Sequence, residues 1–260
     1  MSVAHPDLKV VLGDDHIAMI EIQRGPDNYI DAGLAKGIAD ALETLDGDLQ
    51  CRAIVLASSG KHFCAGARLR ADASDVPTGV ANPLYAQVAR MVTGSIPIVA
   101  AVQGAAIGAG LGLALIADFR VALPQARFGA TFARLGFHPG FGISATLPPV
   151  VGEQRALEMM YTGRRLKGEE ALAIGLCDRL IDGDADTLRK AAREFATGIA
   201  ESAPLALRAI RRTMRGALAE RIRIATDAEH AAQQALSATA DYKEGLAASA
   251  ERRTPYFVGR

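Results

Sequence analysis

Short apolar runs separated by polar breaks set the rhythm of the first half of the chain. Residues 9–13 (KVVLG) and 17–23 (IAMIEIQ) are rich in β-branched and large apolar side chains, with Asp14, Asp15 and His16 between them. That pattern predicts a hairpin with a polar turn. After the breaker Gly25-Pro26-Asp27-Asn28, Leu34, Ile38, Leu42 and Leu45 recur at helical spacing, which predicts an amphipathic helix over 30–45. Residues 51–57 (CRAIVLA) and 97–102 (PIVAAV) are continuous apolar runs, as expected of strands buried on both faces. Between them lie a polar loop over 60–80 and a helix over 83–92. A glycine-rich helix over 107–117 and a strand over 118–123 follow.

From Glu153 onward helical periodicity dominates. Leu188, Ala191, Ala192, Phe195 and Ile199 form one stripe; Ala206, Ala209, Ile210, Thr213, Met214, Ala217 and Leu218 form another. The alternation of strand, loop and helix argues for an α/β architecture, with strand spacing too irregular for an eight-fold barrel. The helical last third uses alanine more than leucine and so buries little apolar area per residue. A subunit interface would complete its core, and intramolecular packing alone is the alternative.

Composition narrows the classes. Half of the 260 residues are hydrophobic, and Lys+Arg and Asp+Glu both number 29, so bulk charge suggests neither nucleic acid nor an anionic membrane as partner. Cys51, Cys64 and Cys177 are odd in number and widely spaced, which argues against a disulfide framework or a zinc site. The start, MSVAHPDLKVVLGDD, has no basic segment leading into an apolar one, and the longest apolar stretch, Ala105 to Ala117, is too short to span a bilayer. A cytoplasmic location is expected.

Two segments concentrate small residues directly after a buried strand: 61–69 (KHFCAGARL) and 103–110 (QGAAIGAG). Small residues let a ligand approach the main chain, and N–H groups near a helix N-terminus can hold a carbonyl oxygen or an oxyanion. The same glycines would also serve close helix–sheet packing. Neither segment is a dinucleotide fingerprint or a phosphate loop, since 108–112 reads GAGLG. Arg208, Arg211, Arg212 and Arg215 share a helix face, read as a solvated or intersubunit salt-bridging surface.

Taken in order, RGPDNYID, GKHFCAGARL, PIVAAVQGAAIGAGLGLALIADFRVA, ARFGATFARLGFHPGFGISATLPPVVG, ALEMMYTGRRLKGEEALAIGLCDRL and DYKEGLAASAERRTPYF resemble the enoyl-CoA hydratase/isomerase (crotonase) family over nearly the full length. The resemblance implies a crotonase-like spiral of ββα units over residues 1–198, holding the acyl-CoA site, and a C-terminal helical trimerisation region over 199–260. It implies an acyl-CoA thioester substrate, no cofactor beyond the coenzyme A of that substrate, no metal, and a homotrimer or homohexamer. Its two oxyanion donors fall on the backbone N–H groups of Ala67 and Ala109, and substrate contacts on Ala65, Gly66, Arg68, Leu69, Gly108, Gly110, Phe132 and Phe257.

Two departures stand out. Hydration needs one group to activate water and another to protonate the α-carbon. The resemblance puts the two glutamates that do this at Gly112 and Phe132, and an aspartate of some isomerase relatives at Gly140. Candidate replacements are His138, His62, Asp72, Asp75, Tyr85 and Arg68. His138 stands in a Gly/Pro-rich turn and is an acid/base candidate or a histidine bonded to its own loop. The expectation is a lyase or isomerase whose reaction differs from ordinary hydration; the alternative is a non-catalytic acyl-CoA-binding homologue.

Overall fold

The computed structural model describes residues 5–67 and 82–260. β1 (Leu8–Leu12) and β2 (Ile17–Ile22) form the expected antiparallel hairpin, with the Gly13 N–H donating to the Ile17 carbonyl across the turn. α1 (Ala32–Asp46) begins where the Asp31 carboxylate accepts the Leu34 N–H at 2.8 Å. Leu34, Ile38, Leu42 and Leu45 are all buried, as their spacing predicts. β3 (Ala53–Ser58) is buried throughout. α2 (Pro83–Met91) is capped by Asn82, and β4 (Ile98–Val102) is again buried throughout.

The expected helix over 107–117 is partly replaced. Ala105–Ile107 is a short strand, β5, because the Ile107 N–H bonds to the Cys64 carbonyl instead of into a helix. Gly108 (φ 55°) then turns the chain, and the helix α3 spans Ala109–Ile116. β6 (Phe119–Ala122) and β7 (Arg127–Gly129) follow, then a 3₁₀ turn at Thr131–Leu135. The short helices α4 (Ile143–Thr146) and α5 (Pro148–Val151) lead to α6 (Glu153–Thr162). β8 (Arg165–Lys167), α7 (Gly168–Ala173) and β9 (Arg179–Leu180) come next, and α8 (Ala185–Ala200), α9 (Pro204–Arg215), α10 (Leu218–Ser237) and α11 (Ala240–Glu251) complete the chain.

One sheet runs β1-β2-β3-β4-β6-β9, parallel beyond the first pair; a smaller one runs β5-β7-β8. Alternate residues of the large sheet feed opposite faces. Ile54, Leu56, Ile98 and Ala100 join the core under α1, α2 and α3. Ala53, Val55, Val99, Ala101 and Val121 pack on Leu188, Ala192, Ala196 and Ala200 of α8. Each fully buried large aliphatic contributes ~1.5–3 kcal/mol, so both faces of the sheet are held, as a parallel sheet requires.

The region 199–260 does not stand apart: α10 packs on α2 and α4, and α11 packs on the 3₁₀ turn. Its arginine-bearing face is a correction to the sequence reading. Arg208 and Arg211 are buried, and Arg215 is half-buried, while Ile210 and Met214 of the apolar stripe, and Leu205 beside them, are exposed. Arg208 donates to the Asp46 and Asp48 carbonyls. Arg211 Nε and Arg215 Nη1 meet the two carboxylate oxygens of Asp118 at 2.8 and 2.7 Å. The exposed carbonyl ends of α1 and α3 need donors, and long guanidinium side chains reach them where a leucine could not. Arg212 alone of the four is solvated.

Candidate active site

The two small-residue segments lie side by side. The Phe63 N–H donates to the Gln103 carbonyl, Cys64 N–H to Ala105, and Ile107 N–H to Cys64, at 2.8, 2.9 and 3.1 Å. Asn28 fixes the approach: its buried side-chain amide donates to the Ser59 and His62 carbonyls at 2.7 and 2.6 Å. Nothing in its local pattern marked Asn28 except its place in RGPDNYID. His62, one of the candidate replacements for the glutamates, accepts the Ala105 N–H on Nδ1 at 3.0 Å, so it joins the two segments. Burial lowers its pKa.

Peptide planarity then aims two N–H groups. The Gly66 carbonyl accepts the Ile30 N–H at 3.0 Å, so the Ala67 N–H of the same trans peptide points the opposite way. The Gly108 carbonyl accepts the Gly112 N–H at 3.1 Å down the axis of α3, so the Ala109 N–H points out of the helix N-terminus. Neither meets a backbone acceptor among the described residues. Both residues line one cavity, together with Ala65, Gly66, Ile107 and Gly108. At Gly66 (φ 120°) a side chain would strain the backbone, and its Cβ would press on the Ile107 carbonyl oxygen at 3.1 Å.

The rest of the described wall is mostly apolar: Leu84, Leu135, Phe132, Phe137 and Phe141, with Asn82, Tyr85, Thr131, Gly140 and Gln233. Ala65, Gly66, Ala67, Gly108, Ala109 and Phe132 are therefore brought together on one wall. Gly110 is not on the wall; a Cβ there would collide with the Cys64 carbonyl, so its small size serves helix packing. Phe257 is partly exposed and does not line the cavity. Arg68, Leu69, Asp72 and Asp75 lie outside the described residues.

His138 is half-buried and absent from the described wall; its Nδ1 lies 2.8 Å from the Pro139 carbonyl, to which it must donate. Cys64 is fully buried and burial pushes its thiol up to about 12, which leaves no nucleophile there. Among the described lining residues Tyr85 alone titrates, and burial pushes its phenol up, so it is neutral at physiological pH. The described residues contain no cluster of three or more metal-ligating side chains.

Sequence reasoning missed Gln233. It reaches the cavity from α10, where a glutamine in an alanine-rich helix carries no local mark. Glu229, one turn earlier, is buried beside the site and accepts the Gly142 N–H at 2.8 Å and the Ser144 N–H and hydroxyl at 3.1 and 2.5 Å.

Comparison with known proteins gives the family. The family model described as enoyl-CoA hydratase/isomerase matches residues 13–260. The chain is 37% identical over 223 residues to an enoyl-CoA isomerase/hydratase of Zymoseptoria tritici, covering 80% of this chain and 71% of that one. It is 31% identical over 234 residues to the 1,2-epoxyphenylacetyl-CoA isomerase of Escherichia coli, covering 86% and 87%. The crystal structure of an enoyl-CoA hydratase/isomerase from Pseudoalteromonas atlantica superimposes with a TM-score of 0.84 at 32% identity, covering 97% of this chain and all of that one. The chain belongs to the enoyl-CoA hydratase/isomerase family, and its α/β fold with C-terminal helices is the crotonase fold.

Proposed function

We propose that this protein is an acyl-CoA thioester-processing enzyme that stabilises a thioester enolate between the N–H groups of Ala67 and Ala109. The reading is supported by the position of Ala67 and Ala109 on the wall of one largely apolar cavity, with no backbone acceptor for either N–H among the described residues. As an enolate forms, negative charge grows on the thioester oxygen. Two fixed donors in a dry site stabilise that charge, each by about 2.7–4 kcal/mol. The coenzyme A is part of the substrate, and no further cofactor is called for.

Ordinary hydration is disfavoured because the described wall carries no carboxylate, and Gly112 and Phe132 stand where the resemblance puts both glutamates. General acid–base groups contribute about 10²–10⁴-fold each. An isomerase or lyase reaction on the enolate fits better; a non-catalytic acyl-CoA-binding role is the second reading, favoured by the same missing carboxylates. Self-association as a trimer or hexamer through residues 199–260, and a cytoplasmic location, belong to this proposal. No helix among the described residues is long and apolar enough to cross a membrane.

Steady-state assays on a panel of CoA thioesters test it. Turnover of at least one thioester, with slow or absent hydration of crotonyl-CoA, is expected. Crotonyl-CoA hydration near the diffusional ceiling of ~10⁸ M⁻¹s⁻¹ would contradict the reading of Gly112 and Phe132, and binding without turnover across the panel would favour the non-catalytic role.

A further inference from the structure

Away from the cavity wall, a titratable side chain sits in the seam between the two segments that carry Ala67 and Ala109. Main-chain bonds close that seam, from the Phe63 N–H to Gln103, the Cys64 N–H to Ala105 and the Ile107 N–H to Cys64. A side-chain bond completes it, from the Ala105 N–H to His62 Nδ1 at 3.0 Å. A nitrogen that accepts carries no proton, so the neutral ring holds its proton on Nε2, which lies 3.9 Å from the Asp27 carboxylate. The backbone of residue 62 is pinned as well. Its carbonyl accepts from Asn28 Nδ2 and from the Ser58 hydroxyl, and its N–H donates to the Pro26 carbonyl. On the far side of the seam the Gly104 carbonyl accepts the Arg127 N–H at 2.7 Å, which ties β5 to β7. The ring packs tightly over this strand, since a Cβ on Gly104 would stand 2.7 Å from His62 Nδ1.

Protonation puts a second N–H on the ring, at Nδ1, facing the Ala105 N–H. Two donors cannot share a hydrogen bond, so the contact becomes repulsive and the Ala105 N–H loses its acceptor. The strand pairing strained by this is the one that sets Ala67 relative to Ala109, because Cys64 lies just before the first and Ile107 just before the second. Burial, the largest influence on the ring, and the adjacent Lys61 both disfavour its charged form, while Asp27 on the 25–28 turn favours it. Among the described residues packed on it, Ser58 and the 103–105 segment bring no charge. The balance holds the pKa of His62 below the ordinary histidine value, so the bond to Ala105 is made at neutral pH.

We propose that His62 is a positioning residue that keeps the two donor segments in register while neutral and releases them when protonated, so that thioester affinity falls in acid. This rests on the thioester reading above.

The probe is butyryl-CoA carrying carbon-13 at its thioester carbon, with affinity read by calorimetry and the bound carbonyl by its infrared band, at about pH 8 and about pH 5. The natural chain should bind about tenfold more weakly in acid, the scale of one hydrogen bond, and the band should move back towards its position in water. The 3′-phosphate of coenzyme A also titrates, near a pKa of about 6, so the control is His62→Asn. Asparagine carries Oδ1 at the same number of bonds from the backbone as histidine Nδ1, and this acceptor does not titrate. It should keep the natural affinity at about pH 8 and lose the tenfold acid step. His62→Leu, with a methyl group at that place, should bind about tenfold more weakly at both pH values. An acid step of equal size in the natural chain and in His62→Asn, or full affinity in His62→Leu, would overturn the inference while leaving the thioester site standing. So would a carbonyl band that keeps its bound position in acid, a result read on the natural chain alone and independent of whether either variant folds. Failure of butyryl-CoA to bind at either pH would instead remove the reading on which the inference depends.

Discussion

The ring of Phe141 fills the space that a side chain on Gly112 would enter: a Cβ at Gly112 would stand 2.6 Å from Phe141 Cδ1. A side chain at position 112 and the Phe141 ring in its present place therefore exclude each other. Gly112→Glu should not restore hydration. It should destabilise the fold by about 1–3 kcal/mol from overpacking, with a further cost for a buried carboxylate. Urea unfolding gives the first number and crotonyl-CoA hydration the second. A Gly112→Glu variant as stable as the parent would show that the Phe141 ring gives way easily.

Asp118 is the one carboxylate shared by Arg211 and Arg215, and it also accepts the Ile98 N–H at 2.8 Å. Burial lowers the pKa of Arg215, but the guanidinium stays charged, so Asp118→Asn leaves it and its neighbour without a counter-charge. A loss of about 3–5 kcal/mol is expected in equilibrium unfolding. A change below 1 kcal/mol would mean that solvent reaches this cluster.

Glu229 gives a pH signature with a definite sign. Burial raises its pKa above the ordinary carboxylate value, against the lowering effect of its Ser144 and Gly142 hydrogen bonds. The folded chain therefore holds a proton there that the unfolded chain has released, so its contribution to stability is full below the unfolded value. It is lost as pH rises through the raised folded pKa. Relative to Glu229→Gln, the natural chain should lose melting temperature over that interval. A difference that grows with pH would contradict the direction of the shift.

Helix α9 presents Leu205, Ile210 and Met214 to solvent in the single chain. Sedimentation should find a trimer or hexamer, and Ile210→Glu should shift it towards monomer. A fully folded monomer of the natural chain at micromolar concentration would rule out this face as an interface.

What the sequence reveals depends on whether the deciding contact is local. The α1 stripe from Leu34 to Leu45 and the buried runs of β3 and β4 follow from periodicity because each is decided within its own element. That Ala67 and Ala109 line one cavity agrees with the two small-residue segments the sequence marks. In α9 the periodicity was legible but the burial of its arginines was not. Four arginines on one helix face read as solvated or intersubunit, and nothing local shows that Asp46 and Asp118 would draw them inside. The three-residue strands β5, β7 and β8 are too short to carry a period. Gln233 was invisible because its role is defined by Tyr85, 148 residues away in sequence.

The central claim is that Ala67 and Ala109 polarise a thioester carbonyl, and the most direct measurement is the infrared band of that carbonyl in the bound state. With butyryl-CoA carrying carbon-13 at the thioester carbon, the bound band should fall to lower wavenumber than in water. Ala109→Pro removes one donor at the first helical position, where proline is tolerated, and should reduce the fall. A bound carbonyl band at or above its solution frequency would contradict the account.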